Sequence, residues 1–278
     1  MLRLFAVLAW AAMAASTPKI QVHGHRGARA MFPENTLPAF EYAIKQGVDV
    51  LELDMVVTKD NVVVVSHELL LHKPICSGPR ESVPIRELTL AEVRQWDCGA
   101  IQNPLFATQT TVPGTRMPTL DQVFELASRG SFEFNIETKF APRRPEISPE
   151  PEEFAKLVLE KIRKHKLEKR VILQSFDFRT LAAMKKLAPE IRLSALVAQK
   201  ERDWSVVLNE TGAQIISPIS TAVTPERVKL AHDRGVQVVP YTPNTPQEWD
   251  SLIAAGVDAL ITDDPAGLIT HLKKKGLR

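Results

Sequence analysis

The feature that most constrains this chain is its alternation of short β-prone runs with helical stretches. Strand signals fall over 20–23, 48–54, 131–136, 170–174, 191–197, 214–217, 237–240 and 259–261. Helical patterns follow over 33–46, 120–128, 151–166, 179–187, 205–209, 225–233, 247–255 and 268–275. In the first helical stretch Leu37, Phe40, Ala43 and Ile44 share one face, and Gly47 stops the run. Val48, Val50, Leu51 and Leu53 read as a strand buried on both faces, as in a parallel sheet covered by helices. Eight such units in about 260 residues predict a closed (β/α)8 TIM barrel rather than an open sheet. The 278 residues suit one barrel domain over 19–278, long enough to bury a large core without staples.

Two segments break the alternation. Residues 69–118 are rich in proline and predict a loop-rich insertion with one helix over 90–96, capped by Thr89. Before residue 20, Arg3 precedes an apolar run, Leu4 to Met13, and the A-x-A pattern Ala12-Met13-Ala14. This reads as a secretory signal peptide over 1–15, too short to cross a bilayer, rather than as an uncleaved membrane anchor, and it predicts export with no stable membrane insertion once removed. Export makes Cys76 and Cys98, the only two cysteines, either a disulfide pair or two separate thiols. A net charge of +2 gives no bulk argument for nucleic acid, and 6% aromatic residues disfavour a base-stacking surface.

The polar residues gather where the predicted strands end. Glu52 and Asp54 are two apart on a strand and point to one face; inside a barrel they would repel unless a cation held them. Glu137 ends the next strand, and Lys139 points to the same side. Hard oxygen ligands suit Ca²⁺ or Mg²⁺ rather than zinc. His25 and His67 are suited to proton transfer near neutral pH, and Arg26 to gripping a phosphate. His23, inside its strand, reads as structural. Asn35 is a candidate cap for the first helix, and Glu34 a group that either positions Arg26 or completes a metal shell.

These motifs, in this order, resemble the glycerophosphodiester phosphodiesterase family. The resemblance rests on His25-Arg26-Gly27, Pro33-Glu34-Asn35-Thr36, Glu52-Leu53-Asp54, His67, Asn135-Ile136-Glu137-Thr138-Lys139, Gln174-Ser175-Phe176 and the closing run Gly256 to Pro265. It implies the barrel fold and metal-dependent cleavage of a small-molecule glycerophosphodiester, such as glycerophosphocholine, to glycerol 3-phosphate and an alcohol. It further implies His25 as base and His67 as acid, Arg26 and Lys139 on the phosphate, and Glu52, Asp54 and Glu137 on the metal, with Glu34 a further ligand. Gln174 and Tyr241 would line the pocket, and Phe176 is either a further wall of it or part of the core. Where the family often has tryptophan in a W-T-x-N run, this chain has Tyr241-Thr242-Pro243-Asn244, which leaves the alcohol specificity open. Other readings are a lysophospholipase D-like enzyme, which needs an apolar rim from Ile75, Ile101, Leu105 and Phe106, a binding protein without catalysis, and an aldolase-like barrel with Lys139 as Schiff base.

Overall fold

The structure, a computed structural model, describes residues 19–278. The predicted leader over 1–15 lies outside the described residues. Eight parallel strands form the frame: β1 Gln21–Gly24, β2 Val50–Val57, β3 Glu133–Thr138, β4 Val171–Ser175, β5 Arg192–Val197, β6 Ile215–Pro218, β7 Gln237–Val238 and β8 Ala259–Thr262. Their order around the sheet is β7-β6-β5-β4-β3-β2-β1-β8. β7 is shorter than the sequence predicts. The ring closes beside it through the parallel bridge Tyr241↔Ile261 and the Asp258 N–H on the Val238 carbonyl at 3.0 Å. The TIM barrel is therefore observed as predicted.

Strand alternation sorts the side chains. One set, including Leu51, Leu53, Phe134, Ile136, Leu173, Leu193, Ile216 and Leu260, belongs to the main apolar core, which also takes in the buried faces of the helices. The other set fills the barrel axis. It holds a small apolar cluster of Ile172, Ile215, Val239, Ala259 and Ile261 and a polar set that includes Glu52, Asn135, Gln174, Ser194 and Ser217. Helix Pro151–His165 shows how the outer layer forms. Phe154, Ala155, Val158, Leu159 and Ile162 recur at helical spacing and are buried. Each large one contributes roughly 1.5–3 kcal/mol by leaving water. Acidic Glu152 and Glu153 open the helix and basic Arg163, Lys164 and His165 close it, as its dipole favours.

Two local expectations change. The first helix spans Leu37–Gln46, not 33–46, because Asn35 lies in the left-handed region at φ 57° and ends a tight turn. Residues 69–118 are structured more fully than a loop. Leu70–His72 pairs antiparallel with Ser82–Pro84, and a helical turn at Leu90–Val93, shorter than predicted, starts from a Thr89 capping box. Val56, Val64, Leu71, Val83, Ile85 and Trp96 form a core of their own there. A Cys76–Cys98 disulfide, S–S 2.03 Å, lies in the same core.

Candidate active site

The site forms at the C-terminal ends of β1, β2, β3, β4 and β8. After β1 the chain turns sharply through Arg26 and Gly27, both at positive φ. A side chain on Gly27 would meet Ala39 and Phe40 at under 3 Å, so only glycine fits this turn. The turn brings the Arg26 N–H onto Glu52 Oε2 at 2.9 Å. β2 runs on past the barrel, and residues Val63–Val65 return antiparallel along Met55–Val57. The Ser66 N–H then bonds the Asp54 carbonyl at 2.9 Å, which sets His67 beside the carboxylates.

Glu52, Asp54 and Glu137 are all buried, with one oxygen of each within 4.8 Å of the others. At an effective dielectric of about 20, each ionised pair repels by roughly 3 kcal/mol. Lys139 Nζ lies between two of them, 2.6 Å from Glu137 and 2.9 Å from Asp54. Arg26 Nε is 3.3 Å from Asp54, and Asn35 donates to Asp54 at 2.8 Å. Gln174 donates to Glu52 Oε1 at 2.7 Å and accepts from Asn135 at 3.0 Å. The electrostatics follow. Burial and the neighbouring Asp54 charge push the Glu52 carboxyl well up. Burial also raises Glu137, opposed by Lys139. Burial would raise Asp54 too, but Lys139 and Arg26 hold it well below the carboxylate range. Lys139 is raised despite burial by Asp54 and Glu137.

His25 turns its Nδ1 to Asp263 Oδ1 at 2.5 Å and sets its Nε2 4.0 Å from Glu52. A carboxylate only accepts, so Nδ1 carries the proton and Nε2 is left free to accept one. Burial and the Arg26 charge lower His25, with Asp263 opposing. Asn244 donates to the other Asp263 oxygen at 2.8 Å. His67 Nδ1 faces Glu68 at 2.8 Å. His23 is buried in the barrel and pushed down to about 3 by desolvation, so it stays neutral, as a structural residue would.

The structure thus brings His25, Arg26, Glu52, His67, Glu137, Lys139, Gln174, Phe176 and Tyr241 around one cavity of about 240 Å³. Phe176, 46% exposed, stands edge-on to Tyr241 with centroids 6.0 Å apart, as a wall rather than core. Glu34 falls outside the carboxylate triad. Its oxygens lie 2.6 Å from Arg26 Nη1 and 3.3 Å from Arg29 Nε, so it positions the arginines. Asn35 is no helix cap, since its side chain is spent on Asp54. Asp263, Arg29 and Asn244 are the residues that the sequence reading left without a role. Asp263 was within reach, because it lies two residues after the inward Ile261 and shares its direction.

Five buried carboxylates (Glu34, Glu52, Asp54, Glu137 and Asp263) share three permanent cations, Arg26, Arg29 and Lys139. The shortfall is two charges, and the triad offers hard oxygens to a group that would supply them. The residues fit a divalent cation.

Fold and site together define a barrel enzyme with an acidic, cation-ready centre at its C-terminal rim. A model of the Glycerophosphoryl diester phosphodiesterase family matches residues 25–267. The glycerophosphodiester phosphodiesterase of Caldanaerobacter subterraneus subsp. tengcongensis is 34% identical over 259 residues, which span 93% of this chain and 100% of that protein. A Silicibacter pomeroyi DSS-3 crystal structure assigned to glycerophosphoryl diester phosphodiesterases superposes with a TM-score of 0.87 at 30% identity, covering 93% of this chain and 95% of that one. An Oleispira antarctica phosphodiesterase, solved with the product sn-glycerol-3-phosphate, shares the fold with a TM-score of 0.78 at 24% identity, over 92% of this chain and 97% of its own. This chain belongs to the glycerophosphoryl diester phosphodiesterase family.

Proposed function

We propose that this enzyme hydrolyses a small glycerophosphodiester, such as glycerophosphocholine, to glycerol 3-phosphate and an alcohol, with Ca²⁺ or Mg²⁺ held by Glu52, Asp54 and Glu137. The observation that carries this reading is the convergence of both histidines, Arg26, Lys139, Glu52 and Glu137 on one cavity, with Asp54 grouped against the two glutamates. Arg26 and Lys139 grip the phosphate oxygens. His25, oriented by Asp263, takes a proton from the attacking oxygen at Nε2. His67, oriented by Glu68, gives a proton to the leaving alkoxide. Gln174 holds Glu52 in place. When bound, the cation supplies positive charge against the phosphoryl oxygens.

A Schiff-base lysine needs a lowered pKa, whereas Lys139 is raised, which argues against an aldolase-like reading. A lysophospholipase D-like reading lacks its apolar rim: of Ile75, Ile101, Leu105 and Phe106 only Leu105 is exposed, and Phe106 lies 5.0 Å from the Arg29 guanidinium. We also propose that the protein is exported. The leader-like start and the Cys76–Cys98 disulfide support this, since disulfides persist in oxidising compartments.

The test is to incubate the protein with glycerophosphocholine and glycerophosphoethanolamine, with and without chelator, and follow glycerol 3-phosphate. The expected result is chelator-sensitive release, restored by Ca²⁺ or Mg²⁺. Undiminished release in chelator would overturn the metal role, and none from either ester with added metal would overturn the substrate class.

A further inference from the structure

We propose that the leaving alcohol is received in a second cavity beyond His67, and that this cavity is built for an uncharged polyol such as an inositol or sugar. The proposal rests on the phosphodiesterase reading above. The cavity holds about 1240 Å³ and joins the catalytic one, with which it shares His67, Glu137, Lys139, Phe176 and Leu196. It extends from there over the segment after β3 and across the start of helix Phe178–Leu187 to the turn at Gln199.

Position decides which half of the substrate lies there. His25 lines the catalytic cavity but not the larger one, whereas His67 lines both. An acid must touch the oxygen that departs. With His67 as acid, the bond to the alcohol breaks at the junction, and the alcohol lies on the side of the larger cavity. Glycerol 3-phosphate is retained on the His25 side.

The lining decides what kind of alcohol fits. Two guanidinium–ring stacks frame the space, Arg179 over Phe140 at 4.8 Å and Arg202 over Phe178 at 5.4 Å. Each arginine is also neutralised by an adjacent carboxylate, Arg179 by Asp177 at 2.7 Å and Arg202 by Glu210 at 3.3 Å. Glu68, Arg144 and Glu150 also line the space, with Arg144 held by Glu146 at 3.0 Å, so positive and negative side chains are nearly equal in number and the cavity offers little net charge to an anionic or a cationic alcohol. A guanidinium has five N–H donors, and these carboxylates leave some of them free. Exposed Phe176 supplies a flat apolar face. Hydroxyls along one edge and C–H faces on the other are what a ring polyol presents.

The experiment compares kcat/KM for glycerophosphoinositol, glycerophosphocholine and glycerophosphoethanolamine in the metal-loaded wild type and in two variants. Wild type is expected to favour the inositol ester. Arg179→Ala should cut the inositol-to-ethanolamine ratio about tenfold, the loss of roughly one hydrogen bond to a charged donor, mainly through KM. Gln199→Ala, on an exposed turn where folding is not at risk, should cut it about threefold, as loss of a weaker neutral bond would. Turnover of all three esters without preference, or ratios unchanged in both variants, would overturn the polyol cavity and leave the phosphodiesterase reading standing. Turnover of none would overturn both.

Discussion

At the N-terminal end of the barrel Asp49 takes hydrogen bonds from Lys19 at 2.8 Å, from the Val22 N–H at 2.9 Å and from Arg278. Glu133 is held there by Arg192 at 2.6 Å. At the C-terminal end five buried carboxylates share three cations. The two ends use the same residue types, yet only one is balanced within the chain. The balanced end ties β1, β2 and the C-terminal residue together and serves stability. The unbalanced end stores repulsion that a cation can relieve, which is how a site meant for ligands differs from a structural one.

The comparison breaks most sharply at Glu52. Glu52→Gln should lower kcat/KM by roughly a thousandfold or more, since charge stabilisation dominates phosphoryl transfer. The same variant, measured by thermal unfolding in chelator, should be as stable as wild type or more so, because a carboxyl pushed well up by burial and by Asp54 has been removed. A large loss of stability there would place Glu52 with the structural carboxylates. His25→Ala should cost about 10²–10⁴ in kcat with folding intact, read by steady-state kinetics and circular dichroism. An active variant would remove His25 from the chemistry.

The mirror experiment is Asp49→Asn. Burial raises the Asp49 carboxyl, but Arg278, Lys19 and the Val22 N–H hold it below its ordinary value of 3.8. A depressed folded-state pKa adds stability above the unfolded value, and that share is lost as pH falls through the folded value. At neutral pH the substitution should cost about 1–2 kcal/mol, a melting shift of a few degrees, with kcat unchanged. The gap to wild type should close in acid below pH 3.8. A pH-independent gap would mean that the charge is not what stabilises this end. At the catalytic end a smaller effect than those of Glu52 and His25 is expected from Gln174→Ala, about tenfold in kcat/KM through loss of the 2.7 Å bond that orients Glu52.

Strand parity made half of the site legible. Glu52 with Asp54, and Glu137 with Lys139, are two-residue steps along strands, so their common direction follows from the backbone alone. The barrel was legible for a similar reason, since eight periodic units leave few other closures. Turns hid the rest. The Asn35 side chain reaches Asp54 because its backbone is left-handed, and no local pattern announces that conformation. Asp263 meets His25 across 238 residues of sequence, through closure of β8 on β1. The insertion over 69–118 read as loop-rich with one helix because most of its order comes from a satellite core and a disulfide rather than from periodicity.

The central claim is that a divalent cation makes good the charge missing at the C-terminal rim. Titration calorimetry of Ca²⁺ and Mg²⁺ into chelator-treated protein tests it directly, with Glu137→Gln and Asp49→Asn run alongside. One site per chain, weakened at least tenfold by Glu137→Gln and untouched by Asp49→Asn, is the predicted result. No binding, or equal binding in wild type and Glu137→Gln, would contradict it.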